Sequence, residues 1–342
     1  MVIVLKENFI SKTIKNILFF IILIILTFYF ILRNQDINKL FNIIKSANIY
    51  YIILAIISMF IFFVMESLNV RFTLKTLGEK ISFFKVLKNT LICFFFNGIT
   101  PAATGGEPME VYYMTKDKVK SSNAILALLI QSCGFLITSI MFGIICSILN
   151  YKVFTHYLIW IFLLAISISI IALTIMLICI FSPKLMDKVI DIVITLIKLI
   201  TINRIKLSKN RFNKTIETYK ESSIFIKNNK RLFIRNILRN ILQVIFFYSI
   251  PFFVYKSFGL SGYSIIKFIG IEAILYSATS SIPLPGAIGI SETIYLLLFK
   301  DIFGNNYISS AMLLSRGISF YLYVMIGLIT LLFNTLYIKK SK

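Results

Sequence analysis

Long apolar runs separated by short basic stretches set the pattern of the chain. A helix needs about 20 mainly apolar residues to cross a hydrocarbon core about 30 Å thick. Six stretches meet that need: Ile17–Leu32, Ile49–Met65, Ala124–Leu149, Tyr157–Phe181, Phe233–Tyr255 and Ile308–Ile338, the last long enough to be tilted or broken. Two more apolar regions end in Pro and Gly instead of charge. Thr90–Ile99 runs into Thr100-Pro101-Ala102-Ala103-Thr104-Gly105-Gly106-Glu107-Pro108-Met109-Glu110, and Ile265–Ile282 into Pro283-Leu284-Pro285-Gly286-Ala287-Ile288-Gly289-Ile290-Ser291-Glu292. The pattern predicts an all-α integral membrane protein, one polytopic domain over residues 1–342. About six crossing helices are joined by two re-entrant broken-helix hairpins, 86–115 and 263–300. Lys6, Lys12 and Lys15 precede the first run as in a signal peptide. Ile31-Leu32-Arg33-Asn34 offers no small-residue cleavage site, so that run is expected to remain as an anchor.

Composition agrees with this reading. Apolar residues make up 58% and charged residues 15%, against roughly 45–50% and about 25% in soluble chains, which nearly excludes an ordinary soluble enzyme. The 36 Lys and Arg exceed the 14 Asp and Glu by 22. Nucleic-acid binding would interleave such bases with aromatics on a polar face; here they flank apolar runs, so no nucleic-acid partner is expected. They read instead as an orientation signal. Lys6, Lys12 and Lys15, the Arg71–Lys88 bases, Lys116, Lys118 and Lys120, and Lys339, Lys340 and Lys342 all fall on the expected cytoplasmic side, with both termini. Asn150–His156 and Lys300–Asn306 are poor in bases and suit the outer side; Arg33–Lys45, with three, suits it less well. The membrane expected is the bacterial cytoplasmic membrane. Between the first half (1–181) and the second (232–342), the linker 182–231 carries Lys184, Lys188, Lys198, Arg204, Lys206, Lys209, Arg211 and Lys214 around helically spaced Ile190, Ile194 and Ile197. Such a segment would lie on the anionic inner leaflet or simply orient the halves.

The two hairpins resemble each other. Pro101 is followed four residues later by Gly105 and six later by Glu107; Pro285 is followed four later by Gly289 and seven later by Glu292. The first is bounded by cytoplasmic bases and the second by outer-side residues, so the halves have opposite topology. Inverted repeats with Gly/Pro-broken helices place a transporter's site near the midplane. Non-helical backbone at that depth must be buried in protein or line a wet cavity. Pro101, Pro283 and Pro285 break the inbound helices, and the outbound helices begin near Pro108 and Ile290, aiming their positive ends at the centre as an anion site.

Gly105-Gly106-Glu107-Pro108 after a Pro-broken helix, with Pro283 to Glu292 and the later Arg316, resembles the transmembrane, flippase-like domain of lysylphosphatidylglycerol synthases, the multiple peptide resistance factor family. The resemblance covers most of the chain. It implies a domain that moves aminoacylated phosphatidylglycerol from the inner to the outer leaflet and protects against cationic peptides. Full-length relatives add a soluble aminoacyltransferase domain. Nothing of that kind follows Ile338 here, so the chain is expected to make no aminoacyl lipid by itself, with a separate synthase left open as a partner.

The lipid-site candidates are Arg316, Gly105, Gly106, Gly286, Gly289, Glu107, Glu110, Glu272 and Glu292. Arg316 either grips a lipid phosphate as a fork or forms a structural ion pair with Glu272 or Glu292. Glu107, Glu110 and Glu292 either face a cationic head or a coupling proton, or start helices. Glu272, midway along an apolar arm, cannot be a cap and is either paired or a proton or headgroup site. Gln131 holds a corresponding place in the first half. Cys93, Cys133, Cys146 and Cys179 show no metal spacing and read as small core residues. The one histidine, His156, makes a His-based metal cluster or catalytic triad nearly impossible. No nucleotide-binding loop appears, so no cofactor is expected and transport would be downhill or ion-coupled. A lysyltransferase component, a non-transporting accessory subunit and a homo-oligomer stay open.

Overall fold

The computed structural model describes residues 37–151, 156–181, 229–280 and 282–340, together with Tyr29 and Ile224. The first expected crossing, Ile17–Leu32, and nearly all of the linker 182–231 lie outside the described residues. Among these, all regular elements are helical: α1 Ile37–Lys45, α2 Ile49–Thr76, α3 Phe83–Ile99, α4 Gly106–Lys116, α5 Ser121–Leu149, α6 His156–Phe181, α7 Lys230–Tyr248, α8 Ile250–Ser257, α9 Ile265–Thr279, α10 Ile290–Arg316 and α11 Leu322–Lys340. Among the described residues five stretches are long and apolar enough to cross a membrane: Ile49–Thr76, Ser121–Leu149, Tyr157–Phe181, Lys230–Ser257 and Pro285–Leu336.

Local chemistry explains the helix ends. Asn48 caps α2, its side chain accepting the Tyr50 N–H at 3.0 Å, and Gly78 ends it with φ 81°. Pro251 sits in the first turn of α8, where its missing N–H costs little, and marks the step from α7. Gly304, at φ 65° and ψ 168°, breaks α10 in two. A π-turn, Gly317–Tyr321, joins α10 to α11. The long last crossing expected from the sequence, Ile308–Ile338, thus begins just after the Gly304 break and holds the π-turn within its span.

Helices approach closely where one of them offers a glycine, as membrane helices do when packing replaces hydrophobic drive. A Cβ on Gly134 of α5 would fall 1.9 Å from Asn236 Oδ1 of α7; one on Gly143 would fall 2.3 Å from Ser277 Oγ of α9; one on Gly327 of α11 would fall 2.4 Å from the Leu91 carbonyl of α3. The packing is reciprocal between halves. α3, inbound to the first turn, packs on α11, while α9, inbound to the second, packs on α5, and α2 packs on α7 and α8.

Polar contacts sort the connections into two ends of the bundle. At one end, Asn48 N–H donates to the Ser257 carbonyl at 2.7 Å, Lys39 to Asn306 at 3.3 Å and Lys267 to Asn150 at 2.8 Å. At the other, Glu79 accepts from Asn123 at 2.7 Å, and Asp117 pairs with Lys85 and Lys88, each at 3.5 Å. Lys88 also reaches Asn334 at 3.3 Å. α2, 28 residues long, connects these ends over about 42 Å at about 1.5 Å per residue. The α3–α4 hairpin therefore opens at the Asp117 end and the α9–α10 hairpin at the Lys267 end.

Candidate functional site

The two hairpin tips share part of their conformation. They differ at the middle residue, where Gly286 has φ 58° while Ala102 is not left-handed, and after the turn, where Thr104 is helical (ψ −10°) and Ile288 extended (ψ 140°). Each has an extended residue before proline, Thr100 (φ −117°, ψ 143°) and Leu284 (φ −110°, ψ 145°), as the proline ring requires of its predecessor. Each then makes a single 3₁₀ turn, Pro101–Ala103 and Pro285–Ala287, that ends on an alanine with positive φ, 54° at Ala103 and 50° at Ala287. The two turns lie against each other. An L-residue avoids the left-handed region, so these paired alanines mark a conformation imposed by the surrounding packing.

The tips are held differently. In the first, Thr100 Oγ1 accepts the Gly105 N–H and Asn97 Oδ1 accepts the Gly106 N–H, both at 2.9 Å. Gly106 permits this approach, since a Cβ there would sit 2.2 Å from Asn97 Oδ1. In the second, Glu292 Oε2 accepts the Gly289 N–H at 2.7 Å, and its Oε1 accepts Arg316 Nε at 2.9 Å and the Tyr321 hydroxyl at 3.1 Å. Arg316 Nη2 donates to the Gly286 carbonyl at 3.0 Å, and the guanidinium lies 4.6 Å from the Phe320 ring centroid. Of the two acids offered to Arg316 by the sequence, Glu292 makes the contact. It caps its helix and pairs with the arginine at once. The leading amides of α4 and Gly289 are taken by protein groups, so fewer bare donors face the centre than the sequence suggests, although both dipoles still point there.

Glu272 on α9 is 9% exposed, and its Oε2 has no hydrogen-bond partner. Glu110 is buried and accepts from Thr90 at 3.0 Å, Thr90 in turn accepting from Ser67 at 3.3 Å. Glu107 stays accessible and accepts from Ser132 of α5. Pro108 is the third residue of α4, which begins at Gly106; Pro283 precedes the second turn without entering a helix.

A third acid in this group, Glu66, escapes a count of apolar runs. It follows Met65, where the run closes, yet α2 continues to Thr76, and Glu66 stands in electrostatic reach of Glu107 and Glu110. Gln243 Nε2 donates to it at 3.4 Å. Gln243 belongs to a buried amide row on α7, Asn236, Asn240 and Gln243, spaced one helical turn apart and facing Gln131 of α5. Gln131 Nε2 donates to Asn240 and Gln243, and its Oε1 accepts from Asn236, each at 3.1 Å. The i, i+4, i+7 spacing of three amides was the available signal.

The site thus sorts charge. Arg316 and its partner Glu292 hold the second tip, while Glu66, Glu107 and Glu110 gather beside the first.

Known proteins are similar to this chain across most of their length. UPF0104 membrane proteins are similar to this chain: that of Methanocaldococcus jannaschii is 26% identical over 94% of this chain and 96% of its own. The Pyrococcus horikoshii protein is 24% identical over 87% and 91%, and the Archaeoglobus fulgidus protein 20% over 88% and 90%. The family model of the lysylphosphatidylglycerol synthase TM region matches residues 16–327, and the chain belongs to that family.

Proposed function

We propose that this chain moves a phospholipid between the leaflets of the cytoplasmic membrane, the lipid head passing between the two hairpin tips. The observation that carries this reading is the meeting of two Pro-broken turns, entered from opposite ends of the bundle, with Arg316 among acids at one and, among the described residues, acids without a base at the other. In a bilayer these hairpins are re-entrant and the halves form an inverted repeat, the arrangement that rocks about a midplane site. Arg316 offers guanidinium donors for a phosphate, helped by the positive ends of α4 and α10. Glu66, Glu107 and Glu110 beside the first tip and Glu272 on the arm of the second are acids that an amine can meet along this path. A head that bears both charges, such as lysyl-phosphatidylglycerol, satisfies both, and its export lowers the negative charge that draws cationic peptides. In this reading the Lys85, Lys88 and Asp117 end and Lys339–Lys340 face the cytoplasm, and the basic linker rests on the inner leaflet.

The test is a leaflet-resolved assay in proteoliposomes holding the purified chain and labelled phosphatidylglycerol or lysyl-phosphatidylglycerol. Exchange of either lipid faster than in protein-free vesicles is the expected result, slowed by Arg316→Lys, which keeps charge and loses the fork. Exchange equal to that of protein-free vesicles removes the reading.

A further inference from the structure

Glu272 has no part in the clamp that holds the second tip, and its position demands an explanation. It is the eighth residue of α9, about 10 Å along the helix from Ile265 at about 1.5 Å per residue, buried, with Oε2 unpartnered. Its one cationic neighbour, Arg316, feels its charge but spends Nε on Glu292 and Nη2 on the Gly286 carbonyl. Among the described residues the remaining bases on the helices packed against α9, Lys230, Arg231, Arg235 and Arg239 of α7, Lys300 of α10, His156 of α6 and Lys256 of α8, exert no charge effect on it; Arg316 alone does. From α7 comes Tyr248, whose hydroxyl also lacks a partner, and from α10 Tyr295, bonded to Ser315, and Glu292. Cys146 lies on α5, α6 has His156, Tyr157 and Cys179 only near its ends, and α8 has Tyr255 and Lys256. On α9 itself stand Tyr276 and Lys267, the latter at the hairpin mouth on Asn150.

Two carboxylates and one guanidinium sum to one negative charge if both acids are ionised. An uncompensated charge in such surroundings is strongly unfavourable, so one more positive charge must accompany the resting site. Among the described residues no basic side chain is placed to supply it.

We infer that Glu272 carries a proton in the resting protein and exchanges it for the cationic part of an aminoacylated lipid head, making the chain a lipid/proton antiporter. This rests on the lipid-translocation reading above. In the exchange the Oε2–H bond breaks as the head's ammonium arrives, and the proton leaves to water. When the head departs on the other side, Oε2 takes a proton from that side. One positive charge moves each way, so the cycle is electroneutral and no bond in the lipid changes. Outward movement of the lipid is driven by inward movement of the proton.

The experiment adds lysyl-phosphatidylglycerol or phosphatidylglycerol to the full chain in detergent, following radiolabelled lipid binding and proton release to a pH-indicator dye in weak buffer. The expected result is release of about one proton per chain with the lysyl lipid and none with phosphatidylglycerol, lost in Glu272→Gln and kept in Glu272→Asp. An infrared difference spectrum of the unmodified chain should show loss of a protonated carboxyl band on binding. That readout decides the matter even where Glu272→Gln does not fold. Lysyl lipid that binds without proton release or loss of that band overturns the inference alone, as does release that survives in a folded Glu272→Gln. Release that needs sodium replaces the proton by a metal ion and also overturns it. If neither lipid binds, the translocation reading falls and this one with it.

Discussion

Arg316 Nε meets Glu292 Oε1 at 2.9 Å while the other oxygen of that carboxylate receives the Gly289 N–H that opens α10. One side chain thereby ties the start of the outbound helix to the beginning of the bent final crossing 24 residues later. Through Nη2 and the Gly286 carbonyl the same arginine also fixes the tip, so any rearrangement of the second hairpin must pass through this ion pair.

The first prediction follows from that linkage. Glu292 is fully buried and Arg316 nearly so, and removing one partner of a buried pair costs about 3–5 kcal/mol. Arg316→Ala should lower the melting temperature in detergent more than Glu292→Gln, which keeps one acceptor for Gly289 or Tyr321. Equal melting of Arg316→Ala and the unmodified protein would show that the pair carries no stability.

The first tip uses neutral caps where the second uses an ion pair, and its sensitivity should differ accordingly. Asn97→Ala leaves the Gly106 N–H without its acceptor, a loss of about 1 kcal/mol by comparison with other helix caps. Its effect on melting should be the same at low and high salt, whereas the Arg316 pair, although buried, involves charge. Gly106→Ala should be worse than Asn97→Ala, because its Cβ meets both Asn97 and the Cys93 carbonyl at 2.5 Å or less.

The positions of Pro101, Pro285 and the adjoining glycines made both broken hairpins legible in the sequence, since proline removes a donor and glycine allows φ above zero whatever surrounds them. The partner of Arg316 was not fixed by sequence: Glu272 and Glu292 are both on arms of the second hairpin, and only the register of the turn brings Glu292 to the guanidinium. Glu66 was lost for a different reason. Counting apolar residues treats the first charge as an end, but α2 carries its acid inside the helix and continues through Asn69, Arg71 and Thr73. Gly304 was visible in a loop expected at Lys300–Asn306, whereas the π-turn at Gly317–Tyr321 has no proline to announce it.

The amide row gives a third prediction. Gln131 is the common partner of Asn236, Asn240 and Gln243, so Gln131→Leu removes a bond from each at once, while Asn240 Nδ2 keeps Asn236 and Gln243 Nε2 keeps Glu66. Interhelical hydrogen bonds within membranes average about 0.6 kcal/mol and reach about 1.7. The single change should therefore destabilise by about 1–3 kcal/mol, read from unfolding in detergent, and Gln131→Glu should be worse because it adds a charge near Glu66. A stabilised Gln131→Leu would mean that the row is merely tolerated.

Gly286 bears two separate constraints, positive φ and contact with Phe320, and they can be told apart. A Cβ at Gly286 would fall 2.1 Å from Phe320 Cζ, and φ is 58° there. Gly286→Ala should lower the melting temperature. Adding Phe320→Leu should recover part of that loss if crowding dominates. No recovery would assign the loss to the backbone, where a left-handed alanine costs about 1–2 kcal/mol. Phe320→Leu alone should weaken packing against Gly98 and the Arg316 guanidinium.

The last prediction concerns the direction of the hairpins in the membrane, on which the transport reading depends. Lys116 ends α4 beside Asp117, at the bundle end that also holds Lys85, Lys88 and Asn334. Lys300 lies near the far end of the first part of α10, a few residues before Gly304 and the Asn306 that bonds Lys39. Single cysteines at these two positions, in a background lacking the four native cysteines, should react with a membrane-impermeant maleimide from opposite faces of intact cells and inverted vesicles. Lys116→Cys should react from the cytoplasmic face, where the basic loops gather, and Lys300→Cys from outside. Reaction of both from one face would place the two mouths on the same side of the bilayer, and two hairpins opened to one side could not offer a lipid head alternate access.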